Sequence, residues 1–433
     1  MSSSRHSVGR VGGDSVVRGG GGVPDHLTWY LVLLIAFLGL AGFFDSFATT
    51  FRYAMMTYVR AGFEMDFGPM VGMYRWVYLG SCLAFVPRVL ADVWGRKAML
   101  WTTMAGLCFL QWLVGFARTA TEYIFLITVL SVFYKSDIWQ LVISEEAPPR
   151  HRGLYAAVTA VLSACGGVAL GGLVRQMGED NAEAWRDVAR FPVWGLFAGI
   201  PVVFFMRETR HFRATKLRRD GRIGLDLLAA PFRRAYRRPL VVLSIMKVFF
   251  AGGAIVAISL LGTEYLRVDN GFGPATVGRV VQYEVVAIMA AWLSAGYLSD
   301  RLGRHLCLYV FGGLYVAALL NMALLPKGSN GVVIAFVVQI FASMAVFAIL
   351  RVATMELFPN DFRAIGSAWT DLFMTMFAAG TATLLGYLTH KTDAGTYRID
   401  LSTCIIAAAA VALMVLPLFA LLRETHGRRL EEV

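Results

Sequence analysis

The chain has 433 residues, of which 57% are hydrophobic and only 16% charged, with a formal net charge of +11. A soluble protein of this length needs far more polar surface, and a mean hydropathy of +0.61 fits a chain whose solvent is largely lipid. Apolar runs of about 18 residues or more recur, each long enough to cross a hydrocarbon core of roughly 30 Å, so water-soluble classes are excluded and the bilayer is the first expected partner.

In chain order, residues 1–26 come first and are rich in Gly, Ser and Arg. They hold too little apolar surface to order themselves and are expected to be a disordered tail. The apolar run that follows is longer than the core of a signal peptide. Twelve spans are then predicted, at 27–49, 68–91, 96–117, 121–144, 152–176, 189–207, 239–262, 276–299, 304–325, 330–355, 363–389 and 399–422. All should be helices, because lipid leaves no partner for an open backbone. The fold expected is therefore an all-α membrane protein with twelve transmembrane helices.

Lys and Arg concentrate in the loops on the side of the two termini, which predicts that both termini are cytoplasmic. The richest loop, Arg207 to Arg238, holds 11 basic residues. It reads as a basic cytoplasmic linker, and its stretch GLDLLAAPFRRAY either lies on the lipid surface or is simply solvated. The net positive charge is mostly this asymmetry, so no nucleic-acid partner is expected. Cys82, Cys108, Cys165, Cys307 and Cys404 all sit in apolar segments without paired spacing. They read as small packing residues, and no metal or cofactor is expected.

The chain resembles itself. Asp92-Val-Trp-Gly95-Arg96 matches Asp300-Arg301-Leu-Gly303-Arg304. Glu145 to Arg152 matches Glu356 to Arg363, and Arg207-Glu-Thr matches Arg423-Glu-Thr. Three motifs in one order at nearly one offset predict two pseudo-symmetric six-helix bundles, 27–207 and 239–422. They are joined by the linker 208–238 and followed by a cytoplasmic tail, 423–433.

On these residues the sequence resembles the major facilitator superfamily, over residues 27 to about 426. Gly296-Tyr-Leu-Ser-Asp300-Arg301-Leu-Gly303-Arg304 fits that superfamily's cytoplasmic loop motif. The first copy departs from it, with Arg88 in place of the Gly and Val93 in place of the basic residue. The Glu145/Arg152 and Glu356/Arg363 motifs resemble the branch of sugar porters and organic-acid symporters. Two features depart from sugar porters. Span 7 reads KVFFAGGAIVAISLL, without a Gln-Gln-Leu-Ser run, and Phe125 stands where an Arg is usual.

Asp92 and Arg96, like Asp300 and Arg304, are four apart, which brings them near one another at a helix end. Gly95 and Gly303 permit a sharp turn. The resemblance implies that these pairs, with Glu145, Arg152, Glu356 and Arg363, form a gate that shuts the cytoplasmic side in one state and parts in the other. The alternative is a purely topological role, with basic residues anchoring loops.

Ionisable groups inside spans are costly in lipid and are candidates for function. Asp45 in span 1 is the leading proton carrier, because the resemblance implies an acid on that helix in proton-coupled members. Asp137 and Glu284 come next. Arg75, Lys135 and Lys247 suit an anionic solute, with Trp139 and Asp371 beside them; alternatively they neutralise Asp45, Asp137, Glu284 and Asp371. Tyr74, Trp76, Tyr134, Tyr283 and Trp369 are further aromatics that line a cavity or pack.

The expected function is secondary active transport of a small organic solute by alternating access. Proton-coupled symport of an organic anion leads. A proton-coupled drug or metabolite efflux antiporter and an uncoupled facilitator of sugar-like solutes are the alternatives. The histidines form no catalytic grouping and no GxxxxGK[ST] occurs, so an enzyme or an ATP-driven pump is not expected. A monomer in a bacterial inner membrane is expected.

Overall fold

The structure, a computed structural model, describes residues 28–134, 138–147, 152–177, 183–209, 229–252, 257–358, 363–391 and 397–422. Among these residues every element is helical, and the one β contact is a bridge between Lys391 and Tyr397. The tails 1–26 and 423–433 and most of the linker lie outside the described residues, as do Lys135 and Asp137.

The helices are α1 (Trp29–Ala54), α2 (Met56–Gly62), α3 (Phe67–Ser81), α4 (Phe85–Trp94), α5 (Arg96–Val114), α6 (Ala120–Tyr134), α7 (Ile138–Glu146) and α8 (Arg152–Gln176). They continue as α9 (Ala184–Arg190), α10 (Trp194–Phe205), α11 (Arg234–Met246), α12 (Pro274–Leu302), α13 (Arg304–Leu324), α14 (Asn330–Leu357), α15 (Arg363–Leu388) and α16 (Leu401–Val415). Among the described residues, 7 stretches are long and apolar enough to cross a membrane: Trp29–Ala54, Tyr155–Gln176, Pro274–Leu302, Arg304–Leu324, Asn330–Thr354, Ile365–Leu388 and Leu401–Leu421.

Several other expected spans are built from shorter pieces, and their prolines and glycines explain why. Span 2 is α3 and α4 joined by a 3-10 turn, Cys82–Ala84. Pro87 has no N–H to give the carbonyl of Leu83 and crowds it, so the helix tightens there. Pro192 marks a similar 3-10 turn, Phe191–Val193, before α10. Span 7 departs from α-helical geometry after α11. Among the described residues the chain then runs as π-helical turns at Lys247–Gly252, Ala257–Gly262 and Tyr265–Asp269.

The sequence repeat appears in the backbone. Gly95, between α4 and α5, has φ 109 and ψ 155, and Gly303, between α12 and α13, has φ 90 and ψ 157. This region is open in practice only to glycine. Two copies of one motif thus fold into one turn.

Helices before residue 210 pack on one another, as α1 on α8 and α3 on α6; those after 228 do likewise, as α13 on α14 and α12 on α14. The two groups meet along α3 with α15 and α8 with α12. Glycines make this approach possible. A Cβ on Gly386 would lie 2.6 Å from Gly72 Cα, and one on Gly278 would lie 2.6 Å from the Gly171 carbonyl oxygen. Gly68 and Gly72 are four apart, as are Gly167 and Gly171, the small-residue spacing of close helix pairs in membranes.

Besides the bond from Gln282 to the Val168 carbonyl within the seam, the groups are joined on the face away from Gly95 and Gly303. Arg60 Nη2 donates to Glu264 Oε1 at 2.8 Å, and the Tyr397 hydroxyl donates to the same oxygen at 3.3 Å. Thr263 Oγ1 donates to the Tyr53 carbonyl at 2.7 Å. Lys391 Nζ lies 3.5 Å from Asp66, and the Arg267 guanidinium sits 4.2 Å from the Tyr58 ring centre. That face is shut.

Two outcomes follow from this geometry. Gly303→Ala should destabilise the detergent-solubilised protein by about 1–3 kcal/mol, the cost of a side chain in that backbone region. Gly296→Ala, in open space within α12, should be neutral or slightly stabilising by thermal unfolding. For the latch, Glu264→Gln alone should cost about 3 kcal/mol, because it strands Arg60. The Arg60→Met/Glu264→Gln double variant should be more stable than Glu264→Gln alone.

Candidate functional site

α1 runs to Ala54, five residues beyond the expected end of span 1. Asp45 therefore lies well inside the helix, roughly 24 Å from its start at 1.5 Å per residue, and not at the wet boundary. Its Oδ2 accepts a hydrogen bond from Trp139 Nε1 at 3.3 Å. Both side chains line a small cavity with Thr103, Met104, Leu107 and Phe133. Asp45 and Trp139 were assigned to different tasks, proton and solute, and the fold brings them together. The carboxylate is held here by a neutral N–H donor in largely apolar surroundings.

In the second group Lys247 is 1% exposed. It sits where α11 gives way to π-helical turns, a distortion frequent at functional sites. Its Nζ donates to Asp371 Oδ1 at 2.8 Å and to Thr370 Oγ1 at 2.9 Å. Of the two roles open to Lys247, neutralising Asp371 is the one seen. The Asp371 side chain is still 40% exposed, so the pair presents a carboxylate at its open side.

Glu284 lies on α12 and is 3% exposed. Its Oε2 has no hydrogen-bond partner among the described residues. The neighbouring Arg279 does not compensate it, since that side chain is exposed and bonds Thr276. Gln282 donates to the Val168 carbonyl of α8, and Val285 faces Gly167. Glu284 is thus a lone buried carboxyl group on the stretch of α12 that packs against the other group.

Arg75 is exposed and lies over the Trp76 ring, 5.4 Å from its centre. By helical spacing it shares a face with Gly68 and Gly72, which meet α15. It therefore lies along the line where the groups adjoin.

The sequence reading missed Arg52. It treated span 1 as ending before this residue, which made Arg52 a loop cation. The clue was FATTFRYAMMTYV, an apolar run that does not stop at the arginine. Arg52 is 4% exposed. Its Nη1 donates to the Tyr134 hydroxyl at 2.6 Å. The rings of Tyr78 and Tyr134 flank it, with centres 5.5 and 5.3 Å away. Ser81 Oγ lies 3.3 Å from the Tyr134 hydroxyl, and Tyr74 donates to the Arg52 carbonyl at 2.8 Å. Tyr74 and Tyr134 were expected around a cavity, and they surround this cation. Arg60 and Glu264 were missed as well. They lie 204 residues apart and carry no local signature.

At the motif face Arg304 gathers three acceptors. Nη1 donates to Asp300 Oδ1 and Ser299 Oγ, both at 2.7 Å, and Nη2 donates to Glu356 Oε1 at 2.9 Å. The four-residue spacing of Asp300 and Arg304 does bring them together, across the turn at Gly303. Arg301 stays outside this clasp, exposed over the Tyr297 ring at 4.3 Å. The clasp ties α12, α13 and α14, all within one group. It is intact while the opposite face is shut, so these bonds do not need the two groups to meet. In the first group Glu208 Oε1 accepts from the backbone N–H of Arg96 at 2.8 Å and of Lys97 at 3.3 Å. A carboxylate thus caps the start of α5, where orphan donors and the helix dipole favour it. The side chains of Asp92, Glu145, Arg152 and Arg363 lie outside the described residues.

Comparison with known proteins fits this arrangement. The sequence pattern of the Major Facilitator Superfamily matches residues 89–383. A probable 4-methylmuconolactone transporter of Cupriavidus pinatubonensis is 24% identical over 361 residues, covering 80% of this chain and 79% of that protein. Among solved structures, the nucleoside transporter NupG has a TM-score of 0.72 at 11% identity, covering 90% of this chain and 100% of that one. The inward-open xylose transporter XylE from E. coli has a TM-score of 0.70 at 12% identity, covering 93% and 99%. The match to the family pattern spans more than half of the chain, and the chain therefore belongs to the major facilitator superfamily of membrane transporters.

Proposed function

We propose that the protein moves a small organic anion together with a proton, by alternating access between two six-helix bundles, 27–207 and 239–422. The face of Gly95 and Gly303 is cytoplasmic, in line with the basic loops on that side, and the shut face is external. In this state the solute path opens inward.

One observation carries the reading. The bundles are latched at one face by Arg60–Glu264, while Glu284, whose carboxyl group has no counter-charge among the described residues, lies in the seam between them. A buried carboxyl is tolerated when neutral and costly when charged, so its protonation state is coupled to whether the seam is closed or wetted. Glu284 is the coupling residue on this reading, and Asp45, held by Trp139, is a second proton station. Lys247 and Asp371 stand at the solute path as a pair that a carboxylate or a proton can open.

The relative's name supports the solute class. Muconic acid is a diacid, and closing one lactone ring leaves one carboxylate. A solute of that kind suits a path lined by Arg75 and Lys247.

Reconstituted into proteoliposomes, the wild type should accumulate 4-methylmuconolactone when the outside is made acidic. Glu284→Gln should lose gradient-driven accumulation yet retain counterflow of the same solute. Accumulation by Glu284→Gln at the wild-type level would remove the coupling role. Asp300→Asn removes one charge-assisted bond, worth about 1.5–3 kcal/mol, and should slow uptake roughly tenfold or more while leaving membrane insertion intact. An unchanged rate would make the clasp a mere anchor.

A further inference from the structure

Arg52 is the buried cation that none of the roles above uses. It lies seven residues beyond Asp45 on α1, two helical turns further along nearly the same face. At 4% exposure it should have a carboxylate at hand, since a buried guanidinium without one pays a desolvation penalty that nothing returns. The polar groups the guanidinium meets among the described residues are the Tyr134 hydroxyl and the rings of Tyr78 and Tyr134, with Tyr74 on its backbone carbonyl and Ser81 beside the Tyr134 hydroxyl. No carboxylate oxygen of a described residue comes within ion-pair distance.

The way the guanidinium is used sharpens this. Nη1 is spent on the Tyr134 hydroxyl. Among the described residues Nε has no hydrogen-bond partner, and the hydrogen bond the guanidinium makes is through Nη1. The vacant edge is thus the Nε–Nη2 side, whose two parallel N–H groups match the two oxygens of a carboxylate. The tyrosine faces hold the cation in place through its charge without occupying that edge.

We infer that the Nε–Nη2 edge of Arg52 is the seat for the carboxylate of the transported solute, with Tyr134 fixing the fork from its other side. This rests on the organic-anion reading and places that anion on α1, apart from Lys247, whose ammonium Asp371 already satisfies.

The test is thermal unfolding of the purified full-length protein in detergent, for wild type, Arg52→Gln and Arg52→Lys. The probes are 4-methylmuconolactone, benzoate and succinate, with the methyl ester of the lactone and potassium chloride as controls. At least one carboxylate should raise the wild-type midpoint, and neither control should. Arg52→Gln should unfold at the same temperature or higher without ligand, because an unpaired buried charge has gone, and should lose the carboxylate shift. Arg52→Lys keeps the charge and loses the fork, so its carboxylate affinity should fall about tenfold or more. A carboxylate shift preserved in Arg52→Gln overturns the seat and leaves the organic-anion reading standing. Equal stabilisation by the ester or by chloride overturns the carboxylate assignment. No shift by any carboxylate in the wild type sinks both. Should Arg52→Gln not fold, unchanged affinity in Arg52→Lys overturns the seat by itself.

Discussion

A charge that enters the interior of a bilayer protein has to find its opposite there, and this rule fixes where helices meet. Arg60 on α2 reaches Glu264, just beyond span 7, and that bond joins the two groups at one face. Lys247 and Asp371 tie span 7 to α15. Arg304 draws Asp300 and Glu356 together and so holds α12, α13 and α14 as one body. Each pair repays at least part of its desolvation cost only in the geometry shown. Arg52 and Glu284 have no opposite charge beside them among the described residues, one of each sign. They sit on opposite sides of the seam, α1 and α12. A transporter needs such debts, because a solute or a proton binds best where a buried charge is still waiting.

Duplication explains much of the scaffold and little of the chemistry. The turns at Gly95 and Gly303 share one backbone shape, and the glycine contacts Gly72–Gly386 and Gly171–Gly278 occupy matching places between the groups. The interior differs between copies. α1 is a continuous α-helix carrying Asp45 and Arg52, whereas Lys247 in span 7 opens a π turn. Symmetry therefore shapes the turns and the seam, and the charged residues of the interior differ between the copies.

What could be read from the sequence follows the range of the forces involved. Long apolar runs report burial in lipid, and among the described residues seven form helices long and apolar enough to cross a membrane. The paired motifs report a local turn, and Gly303 with Arg304 and Asp300 behaves as their spacing requires. The breaks in spans 2 and 6 were also legible, since Pro87 and Pro192 are local, but hydropathy alone passes over them. Arg60–Glu264 was not legible, because two charges at span ends look like any loop charges until the fold juxtaposes them. Arg52 was lost to a boundary error of five residues at the end of α1. The partner of Lys247 was among its possible partners, but only side-chain geometry selects Asp371.

The seam of glycines has one more consequence. Where Gly72 faces Gly386 and Gly171 faces Gly278, main chain lies directly on main chain. Side chains hop between rotamers in picoseconds to nanoseconds, and a gasket made of them would flicker open at that rate. Polypeptide backbone held in helices has no such hops. A contact of this kind holds its shape on the timescale at which side chains rearrange.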